Sequence, residues 1–296
     1  MGIGKRKMEN LVTMTIQDFF GLRFNSPFLR KVLSFRYKEN QFYKVQFGLI
    51  KGSQLYYRKD INFHAIAGLW EKDSLSLMND MITRFGLNQK GIIVADIGAN
   101  IGYYSIFFSK YLDPNTEIFA FEPSSSILPV LRKNIEANQI NNVKILDMAC
   151  SDHNGDDEFF VGEHHHQSSL VSEWAGNSVT GTKTVVSVTT LDHFFEKYND
   201  GKYPDLIKMD IEGGGKFALK GCDKCITEKR PLILIESHTP EEDNAICDLL
   251  ANYNYDAFRV NTGKWVKNKE NNYHDTEGVW GTMMLIPQER QAKANL

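Results

Sequence analysis

The stretch Ile92 to Gly102, IIVADIGANIG, constrains this chain more than any other. A run of apolar, partly β-branched residues ends in Asp96, a glycine-spaced turn follows, and YYSIFFSKYL then reads as a helix. That order predicts a buried parallel strand, a tight loop and a helix whose first amides point back at the loop. Glycines 98 and 102 predict close approach of the backbone to a ligand, with free N–H donors at the helix start. A cofactor is the natural occupant of such a loop.

Spacing narrows the choice of cofactor. A dinucleotide fold wants G-x-G-x-x-G with the pyrophosphate seated on the helix N-terminus. Here the pattern is Asp96-x-Gly98-x-Asn100-x-Gly102: the middle glycine is missing and a carboxylate stands two residues before the first. That carboxylate repels a pyrophosphate and suits an ammonium or sulfonium group. EIFAFEP reads as the second strand, placing Glu122 about 20 residues past the loop, where ribose hydroxyls are gripped. Asp96, the loop residues Gly98, Ala99, Asn100 and Gly102, and Glu122 together point to S-adenosylmethionine (SAM) over NAD. A nicotinamide-dependent oxidoreductase is the rival; a loop that has lost its ligand is the plain alternative.

Composition excludes several classes. A net charge of −3 argues against a nucleic-acid grip built on bulk positive charge. No apolar run reaches the length of a membrane span, and MGIGKRKMEN lacks a signal-peptide core, so a cytoplasmic protein is expected. Four cysteines are too few for a disulfide framework, and Cys222-x-x-Cys225 reads as a reduced pair.

Residues 1–75 are expected to form an N-terminal cap of helix and short strands. Its segment DFFGLRFNSPFLRKVLSFRYKEN, with Lys/Arg between aromatic positions, is expected to be a helix that packs on the domain, makes peripheral membrane contact or docks on a partner. From 76 to 288 strands and helices alternate, which predicts an α/β, doubly wound, mostly parallel sheet. An inserted hairpin interrupts it at about 153–190, and GVWGTMMLIP could be a reversed strand. The tail 289–296 is polar and expected to fray.

DIGANIGYYS, FEP, the helix with Asn134 and Asn138, TLDHF, IKMDIEG and ILIESH, in that order, resemble the FkbM family of SAM-dependent methyltransferases. The resemblance covers roughly residues 70 to 260. It implies a class I methyltransferase fold, Rossmann-like with one antiparallel strand, and O-methylation of a hydroxyl on a sugar, glycolipid or natural product. Carried over, Asp96 to Gly102 with Tyr104 would hold the methionine part of SAM, and Glu122 with Pro123 the ribose. Met148, Ala149, Ser151 and Asp152 would lie at the adenine. The family commonly continues D-x-E-G-A-E, whereas this chain has Asp210-Ile-Glu212-Gly213-Gly214-Gly215. That loss keeps a non-catalytic SAM-binding protein in view.

In an open α/β sheet, ligands sit outside the carboxyl ends of the strands. There the chain carries Asp210, Glu212, Glu236 and His238, paired two apart by strand alternation. His238 is the expected base, because imidazole titrates near neutrality. Asp210 would face the SAM ammonium group, and Glu212 and Glu236 are alternative bases or would orient His238. These groups could instead pair with Lys208 as a structural network. They could also hold Mg²⁺ or a similar divalent ion, though no metal is assigned. In the insertion, one of His164, His165 and His166 is a candidate acceptor contact with Gln167, Ser168 and Ser169, the alternative being a solvated loop; Trp174, Trp265 and Trp280 are candidate stacking platforms or core fillers.

Overall fold

The computed structural model describes residues 37–58, 63–162, 169–171 and 179–294. The expected helix before residue 37, the histidine run 164–166 with Gln167 and Ser168, and Trp174 lie outside the described residues. The chain divides into two compact units, Met1–Lys72 and Asp73–Leu296.

In the first unit β1 (Gln41–Lys44) and β2 (Gln54–Tyr57) form an antiparallel hairpin. The strand is shorter than its apolar run because the chain turns at Gly48 and again at Lys51–Ser53, with Gly48 and Gly52 both at positive φ. Helix α1 (Phe63–Ala67) closes on it through Gln46 N–H to the Ile66 carbonyl at 3.2 Å.

Helix α2 (Lys72–Arg84) leads into the second unit. Its central strands are β3 (Ile93–Ile97), β4 (Glu117–Phe121), β5 (Val143–Leu146), β9 (Leu206–Met209) and β10 (Leu232–Ser237), all parallel. The full order is β12-β11-β13-β10-β9-β3-β4-β5. Strand β13 (Gly281–Pro287) inserts antiparallel between β10 and β11 (Tyr255–Arg259), as expected of the reversed strand; β12 (Lys264–Trp265) adds a two-residue edge. Helices α3 (Tyr103–Tyr111), α4 (Leu128–Ala137), α5 (Leu191–Tyr198), α6 (Gly215–Lys220) and α7 (Pro240–Asn252) cover the sheet. Strand β3 is buried at every position, which is why its sequence is apolar throughout except at Asp96. On one face of this sheet the core includes Phe119 and Phe121, which meet Phe194 of α5 edge-on at 5.5 and 4.9 Å.

Two expectations need correction. The stretch NVKILDMACSD, which reads as one third strand, is two: after Leu146 the chain leaves the main sheet, and β6 (Ala149–Cys150) joins β7 (Gly155–Gly162) and β8 (Val179–Thr189) in a separate sheet. The antiparallel β7–β8 pair is the inserted hairpin, rooted on the small core of Ala149, Phe159, Val186 and Val188. The tail does not fray at residue 289. Glu289 accepts from Arg230 Nε at 2.9 Å and Nη2 at 2.8 Å, and Arg290 Nη1 donates to the Arg230 carbonyl at 2.9 Å. A forked guanidinium–carboxylate pair holds what polarity alone would release.

Candidate active site

The strand order reverses direction between β3 and β9, so the crevice lies beyond Ile97 and Met209, which are register partners. The loop after β3 is wound tightly: Gly98, Asn100 and Gly102 all have positive φ, at 73°, 50° and 86°. The glycines are there for the protein's own packing, not for room beside a ligand. A Cβ on Gly98 would lie 2.1 Å from the Asp210 carbonyl oxygen, and one on Gly102 2.6 Å from Leu131 Cδ1.

Nor are the loop amides free donors. Gly98 and Ala99 N–H donate to the Phe121 carbonyl at 3.0 and 2.9 Å, and Gly102 N–H to the Ala99 carbonyl at 2.8 Å. Asn100 N–H donates to Glu122 Oε2, and Ile101 N–H to Asn100 Oδ1, each at 2.8 Å. Asn134 Nδ2 donates to the Ile101 carbonyl at 2.8 Å, tying the loop to α4. All five amides from 98 to 102 are thus spent inside the protein, and one of them on a carboxylate. A pyrophosphate would have to displace those bonds and sit against Glu122, so the loop is built against a phosphate-rich ligand.

It fits a cationic one. Asp96 is fully buried; Ser105 Oγ donates to its Oδ2 at 2.6 Å, while Oδ1 has no hydrogen-bond partner among the described residues. Burial raises the Asp96 pKa, against the Lys208 ammonium and the Ser105 hydrogen bond, which lower it. Lys208 is the register partner of Asp96 on β9. Its Nζ donates to the Gly98 carbonyl at 2.9 Å and lies 3.8 Å from Asp96 and 3.9 Å from Asp210. Tyr104 sits 5.2 Å beneath that ammonium and is itself 5% exposed, packed among the α3 aromatics. Glu122 Oε1 accepts from Ser124 N–H at 2.9 Å across Pro123, and burial lifts the carboxyl to about 7. A carboxylate has about four lone-pair sites, so both oxygens can accept again from a diol.

Of the Met148–Asp152 stretch, Met148 packs on the main core and Ala149 pairs with Val188. Ser151 N–H donates to the Thr189 carbonyl at 2.9 Å, and Asp152 pairs with His153 at 3.0 Å.

The carboxylates and the imidazole do converge. His238 Nε2 lies 3.5 Å from Asp210, 3.8 Å from Glu212 and 3.9 Å from Glu236. Strand alternation is not what aligns the first two, because β9 ends at Met209. A left-handed turn at Glu212 (φ 46°) and Gly213 (φ 87°) folds Glu212 back toward His238. Ser169 holds that turn: its hydroxyl donates to the Glu212 carbonyl at 2.6 Å and accepts from Val171 N–H at 2.9 Å. Ser169 is 1% exposed, so it buttresses the turn from within and does not face an acceptor. Asp210, Glu236 and His238 each offer a ligand atom within 4.8 Å of the others, a spacing a divalent ion can bridge.

Burial alone would lower the His238 pKa; Glu242, Asp210, Glu212 and Glu236 outweigh it and raise it to about 10. The surrounding carboxylates thus favour the imidazolium form. Two contributors escaped sequence reasoning. Glu242, on α7, accepts from His238 N–H at 2.7 Å, and the Tyr273 hydroxyl donates to the His238 carbonyl. Trp280 stands in a cluster with Tyr273 and His274, at 6.3 Å from each ring. Trp265 instead packs edge-on against Phe258 at the sheet margin. Cys222 and Cys225 are buried thiols in the core, their pKa values raised by desolvation.

This sheet order with its reversed strand, and an acid-bracketed loop at its switch point, defines a class I methyltransferase. Residues 96–257, over half of the chain, match the Methyltransferase FkbM domain. The chain belongs to the FkbM family of SAM-dependent methyltransferases. "Methyltransferase sdnD" of Sordaria araneosa is 28% identical over 176 residues, covering 50% of this chain and 66% of that protein. Among solved structures, the FkbM methyltransferase of Methylobacillus flagellatus KT is 16% identical with a TM-score of 0.41. The match covers 76% of this chain and 55% of that one. Precorrin-6y C5,15-methyltransferase of Geobacter metallireducens GS-15 is also 16% identical, with a TM-score of 0.40, over 78% of this chain and 90% of that one. The chain thus spans a little under two thirds of the Sordaria relative and about half of the Methylobacillus protein. No helix of the described residues is long and apolar enough to cross a membrane.

Proposed function

We propose that this methyltransferase acts on a hydroxyl oxygen, in an acceptor such as a sugar, a glycolipid or a hydroxylated natural product. SAM supplies an electrophilic methyl group. The chain's part is to line up a weak nucleophile behind that methyl and to take its proton. The observation that carries the reading is the convergence of Asp210, Glu212 and Glu236 on His238 at the carboxyl edge of the sheet, beside the Asp96 loop. In the cofactor site, Asp96 to Gly102 face the methionine part, Glu122 the ribose, and Met148–Asp152 the adenine.

The electrostatics divide the labour differently from expectation. With its pKa lifted to about 10, His238 holds a proton at neutrality and orders the surrounding carboxylates, and one of these accepts the hydroxyl proton. Asp210 also lies 3.9 Å from the Lys208 ammonium, and Glu212 and Glu236 are the proton acceptors in this reading. The test is label transfer from methyl-labelled SAM to a panel of sugars, glycolipids and polyketide alcohols, with Glu236→Gln and Glu212→Gln beside the wild type. Label in an O-methyl group, reduced about 10²-fold or more in one variant, supports the reading. Label on nitrogen or carbon refutes O-methylation. SAH binding without transfer to any acceptor would assign the chain as a non-catalytic SAM-binding protein.

A further inference from the structure

Glu242 is 1% exposed and spans two segments that the sheet alone does not join. Its Oε1 accepts from Gly215 N–H at 2.8 Å, at the start of α6, just after the turn that carries Asp210 and Glu212. Its Oε2 accepts from His238 N–H at 2.7 Å, just past the end of β10, and lies 3.6 Å from His238 Nδ1. The sequence around it, Thr239-x-x-Glu242, has the form of a capping box. Half of that box is present, since Thr239 Oγ1 accepts from Glu242 N–H at 3.1 Å. The other half is diverted: the glutamate carboxylate is spent on Gly215 and on His238.

Gly215 is shaped to this contact. It is not among the residues of positive φ, so its backbone would accept any side chain. An added Cβ would lie 2.8 Å from Glu242 Oε1, so the carboxylate would have to move from its place. The glycine therefore admits a carboxylate from α7 into space that its own side chain would fill.

We propose that Glu242 is a positioning residue for methyl transfer: one buried carboxylate locks the Asp210–Glu212 turn to the His238 end of β10, and Gly215 is glycine to let it in. The inference rests on the methyltransferase reading above. It touches neither SAM nor acceptor, so its signature is a fall in kcat with little change in SAM affinity. It is also movable: a glutamate at 215 paired with Glu242→Ala would return a carboxylate to the same space from the other side.

The test compares Glu242→Ala, Gly215→Ala and the double variant Gly215→Glu/Glu242→Ala with the wild type. Three readouts are taken: SAH calorimetry, kcat and KM for methyl transfer, and amide hydrogen exchange at Gly215 and His238. Glu242→Ala is expected to lower kcat about 10- to 100-fold, with the KM for SAM within about twofold. The double variant should regain about tenfold of that loss, which mere loss of packing would not allow. Slow exchange at both amides should be lost in Glu242→Ala and return in the double variant. Should Glu242→Ala fail to fold, Gly215→Ala displaces the same carboxylate and should show the same fall in kcat. An unchanged kcat in a folded single variant, or a double variant no better than Glu242→Ala, overturns the proposal. If the wild type binds no SAH or transfers no methyl, the functional reading fails instead, and unaltered exchange in Glu242→Ala would still overturn the tie itself.

Discussion

Gly98→Ala should be a severely damaging single methyl group at this site, and Gly91→Ala measures why. Both glycines have positive φ, 73° and 83°. A Cβ at Gly91 meets nothing within 4 Å, so that variant suffers backbone strain alone, about 1 kcal/mol. At Gly98 the same strain is joined by a Cβ 2.1 Å from the Asp210 carbonyl oxygen and 2.8 Å from Ile211 Cγ2. The carbonyl is backbone, held where β9 ends, so the loop and the strand end must part by more than 1 Å to reach ordinary contact. Overpacking of that kind costs roughly 1–3 kcal/mol on top of the strain, giving about 3 kcal/mol in all. Urea denaturation of the two variants should show a difference of about 2 kcal/mol. SAH calorimetry should find Gly98→Ala weakened about tenfold or more, because Lys208, Asp96 and Asp210 are all referenced to that loop, with Gly91→Ala at wild-type affinity. Equal losses of stability, with both variants binding SAH normally, would show that the Gly98–Asp210 approach does not shape the site.

Two pH effects follow from the buried groups. Burial raises Glu122 from 4.5 to about 7, so the folded state keeps a proton that the unfolded state releases. Stability from this group is full below about 4.5 and is lost as pH rises through 7, by roughly 3 kcal/mol at most. Glu122→Gln, which cannot ionise, should flatten stability over that interval in pH-dependent melts; an identical slope in both proteins would contradict the assignment. His238 is raised from 6.5 to about 10 against its own burial, so its contribution is complete below 6.5 and disappears as pH climbs through 10. His238→Gln strands the surrounding carboxylates and should destabilise the protein by about 3 kcal/mol at pH 7. That deficit should narrow toward pH 10 in the same melts, and a deficit independent of pH would remove the charge argument.

The strand, loop and helix at 92–111 were legible because burial, tight turning and helix packing each leave a separate mark in the residues. The reversed strand β13 and the hairpin were legible for the same reason. What the glycines do was not, since positive φ looks alike in sequence whether the close neighbour is a ligand or, as at Gly98, the next strand's carbonyl. The meeting of Asp210, Glu212, Glu236 and His238 was foreseen, but the left-handed turn that brings Glu212 round carries no signal beyond the glycine after it. Glu242 was hidden behind its own motif: Thr-Pro-Glu-Glu announces a helix start, and nothing local says that the carboxylate will reach a turn 27 residues earlier.

That reach has a consequence for how the enzyme comes into being. Strand β3, its loop and β4 can bring Asp96 and Glu122 together before the segments from β9 onward have been made. The acidic edge cannot mature until α7 has left the ribosome and delivered Glu242 to Gly215. A nascent chain halted near residue 230 would thus hold Asp96 and Glu122 but not Glu236, His238 or Glu242.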